Sequence, residues 1–270
     1  MARIVDIIRD RRSVRTFEDR PLTPDDRTFV EQAIQGIETP FGVPVKFRLF
    51  DAAAHGLKSP VIVNAREYVA AKVERVQGAE LSLGFAFETF CLRAAERGLG
   101  TGMLAASLSR KSFEEAMEVG AGEVMPVASP VGYPAAKMSL REGMMRKAIK
   151  SDERLPFSQI FFKGSFNEPL SPTEAGRFEE PLQMLRLAPS ATNKQPWRVV
   201  VDGDSVHFYE EHGLKESALG DIQKVDMGIA LSHFWLTAQE LGLEGRFNTS
   251  DPKIAAPQNT EYITSFEATR

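Results

Sequence analysis

The chain has 270 residues, enough for one large domain or two small ones, and its 43% hydrophobic and 26% charged content is that of an ordinary globular protein. A net charge of −4 leaves no basic footprint for nucleic acid, no apolar window is long enough to span a bilayer, and the only cysteine, Cys91, excludes an intrachain disulfide. Charges interrupt the N-terminal run too often for a signal peptide, and His55, His207, His212 and His233 make no metal spacing with one another or with Cys91, so the expected setting is a reducing cytoplasm.

Ile4, Val5, Ile7 and Ile8 are the apolar positions of a short first helix, which ends in Arg11-Arg12-Ser13-Val14-Arg15. Three guanidinium groups and a hydroxyl so close together make either a phosphate grip or a solvated basic patch. Thr23 caps the next helix, with Pro24 at its first position and Asp25 and Asp26 at its positive end. Phe29, Val30, Ala33, Ile34 and Ile37 recur at helical spacing and face the core. Residues 45–50, 59–63 and 68–73 read as strands. Residues 81–98 form the most apolar helix of this half, with Leu83, Phe87, Phe90 and Ala94 on one face and Ala86, Cys91 and Ala95 widening it, so burial on more than one side follows. The glycine-rich run 98–102 follows a helix rather than a strand, which excludes a dinucleotide-binding loop. Residues 124–131 read as a strand, and 138–152 as an exposed, weakly periodic helix or linker that leads to Glu153-Arg154-Leu155-Pro156.

From Pro169 the chain starts again. Pro169-Leu-Ser-Pro-Thr-Glu174 repeats the pattern of Pro21-Leu-Thr-Pro-Asp-Asp26, now with capping-box spacing between Ser171 and Glu174. A helix over 178–187 and a strand over 198–202 follow. The helix 228–243 aligns with 84–99 without a gap and shares Gly84/Gly228, Ala86/Ala230, Phe90/Phe234, Leu92/Leu236, Ala94/Ala238, Glu96/Glu240, Gly98/Gly242 and Leu99/Leu243. A terminal strand over 261–266 completes the same element order, which makes internal duplication the better account of the repeat. Between the helix 178–187 and the strand 198–202 lies Pro189-Ser-Ala-Thr-Asn-Lys-Gln-Pro-Trp197. Ser190, Thr192 and Asn193 bond nearby backbone, and the Gln195 amide both donates and accepts. On residue chemistry alone this is either a polar turn or a cradle for a flat ligand rich in carbonyls and ring nitrogens.

The run 189–197 resembles the Pro-Ser-x-x-Asn-x-Gln-Pro-Trp signature of the FMN-dependent nitroreductase family. Arg11 to Arg15 resembles that family's Arg-Arg-Ser-x-Arg motif, 98–102 its Gly-Leu-Gly-(Ser/Thr) segment, and Arg154 the arginine of its Arg-Leu-Pro end, although Asp152 stands where some members carry lysine. The resemblance covers nearly the whole chain. It implies an α+β nitroreductase-like fold in two tandem copies that form a pseudo-dimer within one chain. Copy one (1–155) would hold the FMN phosphate side and copy two (156–270) the flavin-ring side, with a degenerate phosphate site where Ile160-Phe-Phe162 replaces Arg12-Ser13. FMN is the implied cofactor, and NADH or NADPH the implied donor. The implied phosphate and ribityl contacts are Arg11, Arg12, Ser13, Arg15 and Arg154. Gly102, Met103 and Leu104 would line the ring edge, and Pro189, Ser190, Ala191, Asn193 and Gln195 would cover it. No side chain is implied as a catalytic acid or base, and no metal is implied. The expected activity is hydride transfer through flavin N5 to a small organic electron acceptor, by a monomer that acts as a pseudo-dimer. The alternatives are a non-catalytic FMN-binding or sequestering protein and a structural homologue that has lost FMN.

Overall fold

A computed structural model describes residues 2–269. Met1 and Arg270, the outer ends of the expected 1–155 and 156–270 division, lie outside the described residues. The first half comprises α1 (Ile4–Asp10), α2 (Pro24–Ala33), β1 (Lys46–Asp51), β2 (Glu67–Glu74), α3 (Ala79–Glu96), β3 (Gly100–Thr101), α4 (Arg110–Met117), β4 (Glu123–Val124) and β5 (Ala128–Gly132). Then come α5 (Leu140–Ala148), α6 (Phe157–Ile160), β6 (Phe161–Lys163), α7 (Glu179–Arg186), β7 (Trp197–Asp202), β8 (Ser205–Glu211), α8 (Ile222–Glu240), β9 (Gly245–Asn248) and β10 (Thr260–Ala268). Thr23 caps α2 as its chemistry dictates, accepting from the Asp26 amide at 3.2 Å.

The strands form two sheets. One runs β1-β2-β5-β3, with β4 added to β2, and the other runs β6-β7-β8-β10-β9; all pairings are antiparallel except β6 with β7. With the short β4 and β6 set aside, each sheet places its strands in the chain order first-second-fourth-third, and each inserts its long helix between the second and third.

Those helices, α3 and α8, are apolar on nearly every side and are accordingly buried along most of their length. They cross at a reciprocal pair of glycines. A Cβ on Gly84 would lie 2.9 Å from the Val225 carbonyl carbon and 3.1 Å from the Ile229 amide; one on Gly228 would lie 2.8 Å from the Phe85 amide and 3.0 Å from the Leu81 carbonyl carbon. Only the absent side chain lets the two backbones approach so closely. Rings from both halves fill the flanking core, with Phe87 against Phe90 and Phe234 against Phe208 and Phe266.

Four local expectations are corrected. Residues 59–63 are a turn, not a strand: Val63 makes a single bridge to Thr16, and no ladder continues beyond it. The strand 124–131 is broken between β4 and β5, where Pro126 has no N–H to donate. Where the Ser171 and Glu174 capping-box spacing promised an α-helix like α2, the chain makes a 3-10 turn over Thr173–Phe178, kinked at Gly176 with φ 56°, before the expected helix 178–187 forms as α7. Segment 138–152 contains α5, which is docked rather than free: Glu142 is buried and accepts from Thr16 Oγ1 at 2.7 Å. No helix of the described residues is long and apolar enough to cross a membrane.

Candidate active site

A cavity of about 300 Å³ opens between the two halves beside α3 and α8. A basic compartment of about 90 Å³ adjoins it, sharing the walls formed by Arg11, Ser13, Arg15, Ile149, Pro189 and Ser190. From the first half, the 11–15 segment lies along β3, where the Val14 amide donates to the Thr101 carbonyl at 2.8 Å. Gly102 is required here, because a Cβ would fall 2.6 Å from the Val14 carbonyl oxygen. Met103 and Leu104 continue the wall, and Cys91, Val127, Val225 and Ile229 give the floor its apolar character.

From the second half, Pro189, Ser190, Ala191 and Thr192 form the opposite wall. Thr192, Asn193 and Gln195 adopt left-handed φ values of 49°, 57° and 51°. For β-branched Thr192 such backbone costs roughly 1–3 kcal/mol and persists only where neighbours enforce it. The enforcing bonds are specific. The Ala191 amide donates to both Asp226 oxygens at 3.1 and 3.0 Å, and the Gln195 amide donates to Ser190 Oγ at 2.9 Å. Asn193 Nδ2 donates to the Lys150 and Glu153 carbonyls at 2.7 and 3.1 Å, and Gln195 Oε1 accepts from the Leu155 amide at 2.9 Å. Asn193 reaches the basic compartment, but Gln195 does not line either cavity: its amide ties the loop to the segment entering the second half. Asp226 is fully buried in the wall, and burial raises its carboxyl well above the ordinary range, against the lowering effect of the Ala191 amide.

The basic compartment gathers Arg11, Arg12, Arg15, Arg146 and Arg154, with Asp152 paired to Arg146. The Nε atoms of Arg11, Arg15 and Arg154 are buried without a hydrogen-bond partner. The other Arg154 nitrogens donate to the Ser151, Glu153 and Leu187 carbonyls at 2.9, 2.9 and 3.0 Å. Burial lowers the Arg15 and Arg154 guanidinium groups from their ordinary value, and Arg11 lowers Arg154 further by repulsion. Behind them, Arg11 Nε lies 3.2 Å from Glu88 Oε1, close but not aligned for a hydrogen bond, and His233 Nε2 lies 2.9 Å from the same oxygen. His233 Nδ1 faces the Met184 carbonyl at 3.0 Å. Both ring nitrogens therefore face acceptors. Buried donors lacking acceptors make this compartment a receptor for an anion with several oxygens.

Of the residues expected from sequence, all but Gln195 line one of the two cavities. Sequence reading missed Arg146, Met145 and Ile149, which reach inward from α5 and the turn after it, and Asp226 on α8. The one available signal was Asp226, a lone acid in the middle of an apolar run.

A family model described as "Putative TM nitroreductase" matches residues 3–238. The chain belongs to this nitroreductase family. A "putative nitroreductase" from Thermotoga maritima MSB8 superimposes with a TM-score of 0.63 at 22% identity, covering 98% of this chain and 94% of that one, so the two share a fold along their whole length. A Bacteroides thetaiotaomicron VPI-5482 protein described as a "Putative NADH dehydrogenase/NAD(P)H nitroreductase" matches at 20% identity and a TM-score of 0.42, covering 50% of this chain and 89% of that one. A Clostridium difficile R20291 protein titled FMN-dependent nitroreductase matches at 14% identity and a TM-score of 0.39, covering 52% and 94%. No curated protein matches the chain.

Proposed function

We propose that this nitroreductase-family chain is an FMN-dependent NAD(P)H oxidoreductase that passes electrons to a small organic acceptor. The observation that carries the reading is the pair of buried guanidinium Nε atoms of Arg15 and Arg154, which lack acceptors beside Arg11 and Arg12 at the mouth of an apolar slot of about 300 Å³. A phosphate monoester carries roughly −1.5 to −2 charges at neutral pH and three acceptor oxygens, which suits those donors. The slot, with its apolar floor and backbone-lined edge, suits a flat ring.

When bound, FMN would supply the redox chemistry that links an NADH or NADPH donor to the acceptor. The chain's own residues bind and orient. Arg11, Arg12, Arg15 and Arg154 neutralise the phosphate, with Ser13 as a hydroxyl donor. The backbone of Gly102, Met103 and Leu104 would border the ring, and Pro189, Ser190 and Ala191 would cover it while Asp226 fixes the Ala191 amide. Asn193 and Gln195 hold the covering loop against the junction between the halves. Cys91, Val127, Val225 and Ile229 keep water from the floor. No side chain is assigned a proton.

The same reading takes 1–155 and 156–270 as two copies of one unit, so that one chain forms a pseudo-dimer. Three observations support it: the shared strand order of the two sheets, the reciprocal Gly84–Val225 and Gly228–Leu81 approach, and a second cavity of about 530 Å³. In the alignment that pairs Gly84 with Gly228, its walls Phe247, Asn248 and Thr249 correspond to Met103, Leu104 and Ala105, and Leu81 corresponds to Val225. Thr39 Oγ1 donates to Ser82 Oγ at 3.1 Å where Ala191 meets Asp226 in the other copy. No arginine of the described residues lines this second cavity, and Phe41 forms part of its wall, 5.9 Å from Phe85 and 5.5 Å from Phe247 by ring centroid.

The test is the visible absorbance of the purified chain before and after NADH or NADPH. A flavin spectrum that bleaches supports the reading. A flavin spectrum unchanged by either donor points to a passive binder, and a chain that stays colourless after incubation with FMN contradicts the cofactor assignment.

A further inference from the structure

We propose that Glu210, His212 and Asp221 form a site for one divalent transition-metal ion, of the zinc, cobalt or manganese class, behind the 189–197 loop. The ligand atoms of these three residues lie within 4.8 Å of one another, with His212 Nδ1 only 3.1 Å from Glu210 Oε1. Ligands at about 2.0–2.2 Å from a shared ion stand roughly 3–3.5 Å apart, so small side-chain adjustments close the set. Two further observations point to a cation. The Glu210 side chain is 0% exposed, and neither of its oxygens has a hydrogen-bond partner. A buried carboxylate is normally satisfied, and leaving it bare is costly. In addition, His212 Nε2 lies 3.3 Å from Glu261 Oε2, which also meets Lys224 Nζ at 3.3 Å. That places a carboxylate behind the imidazole on the side away from Glu210, the arrangement common behind metal-bound histidines. The buried Glu210 oxygens, the His212 imidazole and Asp221 thus converge on one point, which a cation would fill.

Asp221 contributes from a different element. It caps α8, where Oδ1 accepts from the Gln223 amide at 2.9 Å. One nitrogen and two carboxylates favour a first-row transition ion over calcium or magnesium, which prefer oxygen throughout. The position gives the ion a structural consequence. Glu210 pairs with Trp197 across the sheet, the Glu211 amide donates to the Pro196 carbonyl at 2.7 Å, and α8 carries the Asp226 that holds Ala191. An ion joining β8 to the start of α8 would brace both supports of the loop.

The experiment uses the full chain without a histidine tag, stripped with chelator and titrated with Zn²⁺ by calorimetry and with Co²⁺ by visible absorbance. The expected result is one saturable ion per chain and new Co²⁺ bands. His212→Ala and Glu210→Gln should each weaken Zn²⁺ binding by more than about 10-fold, and Glu261→Gln by about 10–100-fold, the usual effect of removing a carboxylate behind a metal-bound histidine. Asp221→Asn keeps the helix cap and should also weaken binding. His55→Ala, remote from the site, should bind like the parent. Absence of saturable binding, meaning an imidazolium–carboxylate pair only, overturns the proposal, as does equal affinity in the parent and in folded His212→Ala.

Discussion

Gly84→Ala places a methyl group where α3 and α8 cross. The added Cβ would point at the Val225 carbonyl oxygen and lie 2.9 Å from its carbon and 3.1 Å from the Ile229 amide. Carbon contacts are comfortable at about 3.5–4.0 Å, and every obstructing atom is backbone, so no rotamer change relieves the clash. The helices must part by something on the order of 1 Å, and cost then lies at the upper end of the overpacking range, about 3 kcal/mol. Alanine returns about 1 kcal/mol of helix propensity, which leaves a net loss of about 2 kcal/mol. For a chain of this size that is about 4–8 °C in thermal midpoint. Gly143→Ala is the control. Gly143 lies inside α5 with only Met138 Sδ within 4.0 Å, so the same substitution should raise stability by up to about 1 kcal/mol. Gly228→Ala should resemble Gly84→Ala, and the double variant should lose less than the sum, because both methyl groups separate the same crossing. Thermal melts of all four variants decide it. A Gly84→Ala chain as stable as Gly143→Ala would refute the crossing geometry.

Other outcomes follow from the site. Glu88 is buried between Arg11 and His233, so Glu88→Gln leaves the buried Arg11 guanidinium without its carboxylate and should cost about 3–5 kcal/mol in urea denaturation; an unchanged midpoint would contradict the pairing. Asp226 has its carboxyl raised well above the ordinary range by burial. The folded state therefore holds that proton more tightly, and the group's contribution is full below the unfolded value of about 3.9 and lost as pH rises through the raised folded value. Asp226→Asn cannot ionise, so its thermal midpoint should gain on the parent as pH rises, and a constant difference across pH would be the wrong result. Arg15→Ala should weaken FMN binding by about 1.5–3 kcal/mol, whereas Lys163→Ala, a surface residue paired with Glu168 and Glu174, should leave it alone; equal losses would break the assignment of the phosphate end.

What could be read from sequence was what repeats or what concentrates chemistry. The glycines, alanines and phenylalanines common to 84–99 and 228–243 marked the two helices that became the buried crossing. The arginines of 11–15 and the polar run 189–197 marked two walls of one cavity. Contacts between distant segments were hidden. Residues 59–63 look like a strand, yet only Val63 pairs, bonding Arg15 and Phe17 on either side of Thr16. Segment 138–152 reads as exposed since Leu140 (88% exposed) and Met144 face outward, while Met145, Arg146 and Ile149 turn towards the site. Gln195 has the chemistry of a ligand contact, but nothing local shows that the Leu155 amide claims its oxygen.

The most direct test of the account is the amount of FMN released by heat from the saturated, desalted chain. One composite site, built from Arg11, Arg15 and Arg154 on one side and the 189–193 loop on the other, predicts one FMN per chain. Two tightly held FMN per chain, or none after incubation with excess FMN, would contradict it.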